Sequence, residues 1–227
     1  MSIAKLFSFW NKKITMDFEE KNENMIEVIK KRGDLTEKRL EEAIRNTPRH
    51  LFLPKMYRDH AYMNAPLSIG QGQTISQPSV VAKMTQWLQP EEKDKILKIG
   101  TGSGWQAAIL ARLVRKVYTT EIMESLARRA RKSLEELGIE NVEIIVGDGS
   151  AGLEEYAPYD GIVCTAACPE IPEEWREQLK EGGRIVAPVG GEYGQAMTVE
   201  EKRNGKMEKV KEEKGYRFVP LKGEKGF

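Results

Sequence analysis

The sequence predicts an α/β fold: a doubly wound, mostly parallel seven-stranded sheet with an N-terminal helical extension. Three observations carry it. From residue 96 onward, short apolar runs alternate with amphipathic segments, the pattern of parallel strands joined by helices. The first run, Ile96-Leu97-Lys98-Ile99, leads straight into Gly100-Thr101-Gly102-Ser103-Gly104, and a helical segment follows at once. Glycines at that spacing let the backbone turn sharply and approach a ligand where a Cβ would clash, which implies a nucleotide-like cofactor at the tip of the sheet. The 227 residues are 40% hydrophobic, enough to bury a sizeable core.

The elements follow in order. Residues 17–47 read as two helices broken at Gly33, with Thr36-Glu37-Lys38-Arg39 as an N-cap signal and Leu35, Leu40, Ala43 and Ile44 as an apolar stripe. Residues 48–77 lack periodicity and hold three prolines and two glycines; so long a loop inside a compact domain points to function. A helix spans 78–88, with proline in its first turn. Strand 96–99 is followed by helix 105–113 and strand 117–121. Helix 122–137 places Ile122, Leu126, Ala130, Leu134 and Leu137 on one face and ends at Gly138. Strands are expected at 142–146, 159–164 and 184–188, with a helix at 173–180 between the last two. Residues 196–210 read as a hairpin turning at Asn204-Gly205, and 216–221 as a final strand.

Charge excludes other classes. The chain has 36 basic and 35 acidic residues, so nothing in it advertises nucleic acid or an anionic membrane. Arg128-Arg129-Ala130-Arg131-Lys132 is a local basic patch, read as a solvated helix face. Cys164 and Cys168 lack the Cys-x-x-Cys spacing of redox and zinc motifs and are read as free thiols of a reducing cytoplasm. No apolar run approaches the roughly 20 residues that span a bilayer, and residues 1–10 show no signal-peptide core. A soluble cytoplasmic chain, without a membrane partner, is expected.

The third loop glycine comes one residue too early for the Gly-x-Gly-x-x-Gly of dinucleotide enzymes. Two acids sharpen the assignment. Glu121 ends the second strand, where a carboxylate can accept from both ribose hydroxyls, and Asp148 of Gly147-Asp148-Gly149 follows the third, within reach of an adenine amino group. With Gly100, Thr101, Gly102, Gly104 and Gly149 they form the expected binding set for an adenosyl cofactor.

With these residues in view, residues 16–221 resemble the protein-L-isoaspartate O-methyltransferase family. The resemblance rests on Pro48-Arg49-His50-Leu51-Phe52, Gly72-Gln73-Thr74-Ile75-Ser76-Gln77-Pro78, the glycine loop with Trp105-Gln106-Ala107-Ala108, Gly147-Asp148-Gly149, Ala157-Pro158-Tyr159-Asp160, Thr165-Ala166-Ala167 and Phe218-Val219-Pro220-Leu221. It implies the class I, Rossmann-like methyltransferase fold and S-adenosyl-L-methionine as cofactor. The implied reaction methylates the free carboxylate of L-isoaspartyl residues in damaged proteins and peptides, which starts their repair. The resemblance further implies that Ser76 orients the substrate carboxylate, that Thr74 and Ile75 line the cofactor, and that Thr165 lies near that carboxylate. Ser76 also suits an N-cap for helix 78–88. His50 and His60 are read as packing residues. No metal is expected, and the chain is expected to act as a monomer.

Residues 1–15 form a leader outside the resemblance, either a lineage-specific helix or sequence ahead of an original start at Met16. Residues 16–90 form the helical and substrate-loop region and 91–227 the cofactor-binding core, together one compact domain. The tail past Leu221 also departs from the family, with Lys222. The sharpest departure is Lys98, where the family usually carries an acid. Unit charges ~6 Å apart at an effective dielectric of about 20 interact by roughly 3 kcal/mol, so a lysine here is expected to weaken a cationic cofactor and Lys98→Glu to tighten it. Two alternatives stay open: a class I methyltransferase acting on RNA or a small molecule, and a non-catalytic cofactor-binding relative.

Overall fold

The structure, a computed structural model, describes the backbone of residues 3–191 and 193–227 and the side chains from Asp17 onward, Glu192 excepted. Helix α1 (Ile3–Lys31) runs unbroken across the expected boundary at residue 15 and buries Met25, Ile26 and Ile29. Gly33, at φ +76°, turns the chain into α2 (Lys38–Arg45), which buries Leu40, Ala43 and Ile44. Thr36 does not cap α2. Glu37 holds that position without a side-chain bond, and Thr36 gives its N–H and hydroxyl to Gln86 Oε1 at 2.8 and 3.0 Å, fastening two segments instead.

The stretch read as irregular is built from elements too short to show a period. Turns of 3-10 helix at Arg49–Phe52 and Lys55–His60 precede a hairpin of β1 (Leu67–Gly70) and β2 (Gln73–Ile75). Gln71 and Gly72, at φ +57° and +71°, make its two-residue reversal. Helix α3 (Pro78–Leu88) then starts on its proline, as predicted.

The alternation that follows matches the prediction: β3 (Lys95–Ile99), α4 (Trp105–Ala111), β4 (Lys116–Glu121), α5 (Glu124–Glu136), β5 (Val142–Val146), β6 (Tyr159–Cys164), α6 (Glu173–Glu177) and β7 (Leu179–Gly191). A hairpin of β8 (Gly194–Arg203) and β9 (Lys206–Tyr216) completes a seven-stranded sheet in the order β5-β4-β3-β6-β7-β8-β9. Contacts are parallel from β5 to β7 and antiparallel beyond. Successive strand residues feed opposite faces: Ile96, Val163 and Val186 join one apolar cluster, while Leu97, Ile162 and Ile185 join the other. That is the signature of a sheet covered on both sides.

Three expectations need correction. Helix α5 starts at Glu124, so Ile122 is left 46% exposed instead of lying on the buried face. The basic patch is only partly solvated: Arg129 and Arg131 donate to the carbonyls of Ile69 and Ile144 at 2.5 and 2.7 Å. No strand forms at 216–221. Tyr216 closes β9, Phe218 N–H goes to Gln195 Oε1, and Pro220, which has no N–H to donate, makes a single bridge to Ala167.

The β8–β9 turn is as predicted, with Asn204 and Gly205 both left-handed at φ +52° and +73°. Both of their N–H groups donate to the carboxylate of Glu181, Gly205 at 3.0 Å.

Candidate functional site

Parallel register sets the site. Ile99 pairs with Thr120 on one side and Cys164 on the other, and Glu121 pairs with Val146, so four strand ends finish level. Gly100, Glu121, Gly147 and Thr165 therefore meet at one edge. The strand order reverses between β3 and β6, and such a switch point leaves a crevice at the carboxyl ends. A cleft opens there, bordered by the glycine loop, Glu121, Gly147 and Thr165.

The glycine loop forms one wall. Gly100, Gly102 and Gly104 sit at φ +78°, +57° and +89°, where a side chain would be strained. A Cβ on Gly104 would lie 3.0 Å from that of Ala130, so this glycine also lets α5 pack against the loop. Thr101 is buried, its N–H bonded to Thr120 O at 2.8 Å and its hydroxyl 2.9 Å from that of Thr119. Glu121 is 6% exposed, and its two oxygens accept the N–H groups of Gly102 at 2.8 Å and Met123 at 3.0 Å. Those bonds fix the carboxylate and leave it acceptor capacity for ribose hydroxyls. Gly149 lines the cleft too, and a Cβ there would strike Thr120 Oγ1 at 1.9 Å.

Asp148 does not join them. Although Gly147 and Gly149 border the cleft, the carboxylate of Asp148 accepts the N–H groups of Ser150 at 2.8 Å and Glu224 at 2.9 Å. It anchors the C-terminal segment, and a Cβ on Gly223 would lie 2.1 Å from it. Those backbone bonds hold its acidity stronger than usual against the opposing effect of burial. The side chain of Asp148 does not border the cleft, whereas that of Glu121 does. Ile122, missed by sequence reasoning, presents an apolar side chain at the cleft beside Met123.

The opposite wall comes from the segment before α3. Thr74 and Ile75 of β2, then Ser76, border the cleft. Ser76 does not cap α3, because Gln77 holds the cap position and Asn64 Oδ1 takes the N–H of Ser79 at 3.0 Å. A wholly buried Arg49 holds this wall. Its guanidinium donates to the carbonyls of Ala61, Ala65 and Ser76, the last two at 3.0 Å, and lies 5.3 Å from the Trp105 ring. Burial pulls its pKa down to about 9, so it stays charged at neutral pH. Arg49 lies in a motif of the family resemblance, but the sequence alone gives it no role, because its partners are distant backbone carbonyls.

Thr165, after β6, borders both this cleft and a second one running along α3 past Val80, Lys83 and Phe218. Lys98 is buried and donates to the carbonyl of Gly100 and, at 2.9 Å, to Thr165 Oγ1. Neither histidine borders these clefts. His50 stacks on Phe18 at 4.0 Å and bonds Tyr62 OH at 2.7 Å, while His60 is exposed at the end of its 3-10 turn. Cys164 and Cys168 are buried free thiols.

These residues fit an adenosyl cofactor. Cβ-free backbone borders the cleft, Glu121 supplies fixed acceptors, and Ile122 with Met123 offers an apolar lip.

Comparison with known proteins agrees. The family description "Protein-L-isoaspartate(D-aspartate) O-methyltransferase" matches residues 20–226. The chain is 48% identical over 215 residues to protein-L-isoaspartate O-methyltransferase 2 of Archaeoglobus fulgidus, covering 93% of this chain and 97% of the relative. It is 46% identical over 210 residues to the enzyme of Dictyoglomus turgidum, covering 92% and 94%. A solved protein-L-isoaspartate O-methyltransferase superposes with a TM-score of 0.80 at 30% identity, over 90% of this chain and 67% of that one. A Plasmodium falciparum structure in complex with S-adenosyl-L-homocysteine shares the fold, with a TM-score of 0.77 at 22% identity over 88% of this chain and 98% of that one. The fold, the cleft and these likenesses converge: the chain belongs to the protein-L-isoaspartate (D-aspartate) O-methyltransferase family, S-adenosylmethionine-dependent enzymes acting on isoaspartyl carboxylates.

Proposed function

We propose that Ser76 positions the free carboxylate of an L-isoaspartyl residue for methylation at the junction of the two clefts. Carrying this reading is one observation: Thr74, Ser76, Thr165 and Val219 border both clefts at once. The inner cleft takes the cofactor and the outer one the peptide on either side of the damaged residue. When bound, S-adenosylmethionine supplies a methyl group made electrophilic by its sulfonium.

The chain's own task is then orientation. A carboxylate with an ordinary pKa of about 3.9 is ionised at neutral pH, so no residue needs to remove a proton. The Ser76 hydroxyl donates to one carboxylate oxygen and leaves the other to react, a proximity effect. Arg49 holds the Ser76 backbone, Thr74 and Ile75 of that same wall touch the cofactor from their side, and Glu121 with Gly100, Thr101, Gly102, Gly104 and Gly149 forms the facing cofactor wall. The proposal takes the chain as a cytoplasmic monomer, and the near-balanced charge supports its having no nucleic acid or anionic membrane as partner. No described helix is long and apolar enough to cross a membrane.

Ser76→Ala tests the assignment. With an isoaspartyl peptide, kcat/KM is expected to fall about 10- to 100-fold while S-adenosylhomocysteine affinity stays within about twofold. An Ala variant as active as the parent removes Ser76 from the reaction.

A further inference from the structure

The ammonium of Lys98 is buried in the fourth position of β3, between Thr119 of β4 and Val163 of β6. It has three N–H donors, and protein acceptors take two of them: the carbonyl of Gly100 and Thr165 Oγ1. It forms no salt bridge among the described residues. The charged or titratable groups that face it are Glu121 at the end of β4 and Cys164 at the end of β6, and both favour its charge from a distance. Burial wins, pulling its pKa down to about 8. A buried cation without a paired anion costs free energy, and such a group in a cleft marks a binding function.

The hydrogen-bond directions narrow what it binds. Lysine only donates, so Thr165 Oγ1 accepts from it and must turn its own proton elsewhere. Its remaining protein contact, to Gly100 O at 3.4 Å, is too long to hold that proton firmly. The Lys98 ammonium bonded to Gly100 O and Thr165 Oγ1 also repels a ligand ammonium from those acceptors. What remains is an unused N–H of a cation beside a free hydroxyl donor. That pair suits an anion with two oxygens.

We propose that Lys98 and Thr165 form a carboxylate-binding pair in the inner cleft. The carboxylate is either that of the cofactor's methionyl end or that of the isoaspartyl substrate. This rests on the cleft holding that cofactor, and in neither case does Lys98 weaken cofactor binding, contrary to the expectation from its charge alone.

Calorimetric titration of the full chain with S-adenosylhomocysteine and with 5′-methylthioadenosine, which lacks the amino-acid end, separates the two sources. If the cofactor carboxylate is bound, Lys98→Met weakens S-adenosylhomocysteine about tenfold or more and methylthioadenosine by less than about twofold. If the substrate carboxylate is bound, both affinities hold, and the KM for an isoaspartyl peptide rises about tenfold with kcat within about threefold. In either case Thr165→Val should add little to Lys98→Met, and the affected constant should worsen from pH 7 to pH 9 in the parent more than in Lys98→Met. Thermal melting of the Met variant at or above the parent temperature shows that its fold is intact. Unchanged affinity and KM in Lys98→Met, or tighter S-adenosylhomocysteine binding in Lys98→Glu, overturns the pair. A parent chain that binds neither nucleoside overturns the cofactor assignment of the cleft, and the pair with it.

Discussion

The two walls of the inner cleft are held by different means. On the cofactor side, parallel register brings Gly100, Glu121 and Gly147 level, and backbone N–H groups fix the carboxylate of Glu121. On the substrate side there is no sheet edge to borrow. A hairpin with strands of four and three residues, two 3-10 turns and one buried guanidinium hold Ser76 in place. The first wall is thus distributed over many equivalent bonds, whereas the second depends on a single side chain.

That contrast breaks most visibly at Arg49. Arg49→Met leaves three carbonyls without their donor and should cost on the order of 3 kcal/mol, read as a lower urea midpoint. Peptide kcat/KM should fall more than about tenfold while S-adenosylhomocysteine affinity stays within about threefold, because the other wall stands without it. Equal loss at both walls means that they are not independent.

The cofactor wall offers a finer test. Glu121→Gln should weaken S-adenosylhomocysteine about tenfold in calorimetry, and Asp148→Asn by less than about threefold, since only the first carboxylate borders the cleft. Comparable losses from both would mean that Asp148 leaves the C-terminal backbone when ligand binds.

The smallest effect is a pH dependence of the substrate side. Burial lowers the pKa of His50 to about 4, against an ordinary value near 6.5. Between those values the unfolded chain binds more protons than the folded one, so stability rises with pH and is lost on acidification through that window. His50→Gln should narrow the gap between urea midpoints at pH 7 and pH 5. An unchanged gap assigns the acid sensitivity to other groups.

Legibility in the sequence followed the same divide. Strands β3 to β6 and helix α5 were readable because apolar runs and a helical stripe are local signals. Strand β9 was readable only at its start: it is an edge strand whose Lys and Glu face solvent on both sides, so it carries no alternation. The β1–β2 hairpin was too short to show a period. Glu121 and Asp148 were both read from their places after strands, yet only Glu121 borders the cleft. The decisive partner of Asp148, Glu224, lies 76 residues away in the chain. Arg49 escaped for a similar reason, since its bonds are to carbonyls 12 to 27 residues distant.

One turn bears on how this enzyme itself ages. Isoaspartate arises when a backbone nitrogen attacks the preceding side-chain carbonyl, and an asparagine before glycine is the most open to it, because glycine brings no Cβ to obstruct the approach. Asn204-Gly205 is such a pair, sitting at an exposed hairpin tip. The nitrogen that would attack is the one whose proton Glu181 holds at 3.0 Å, and both residues are pinned in left-handed conformations by the strands on either side. The repair enzyme thereby shields its own most vulnerable dipeptide from the lesion that it removes from others.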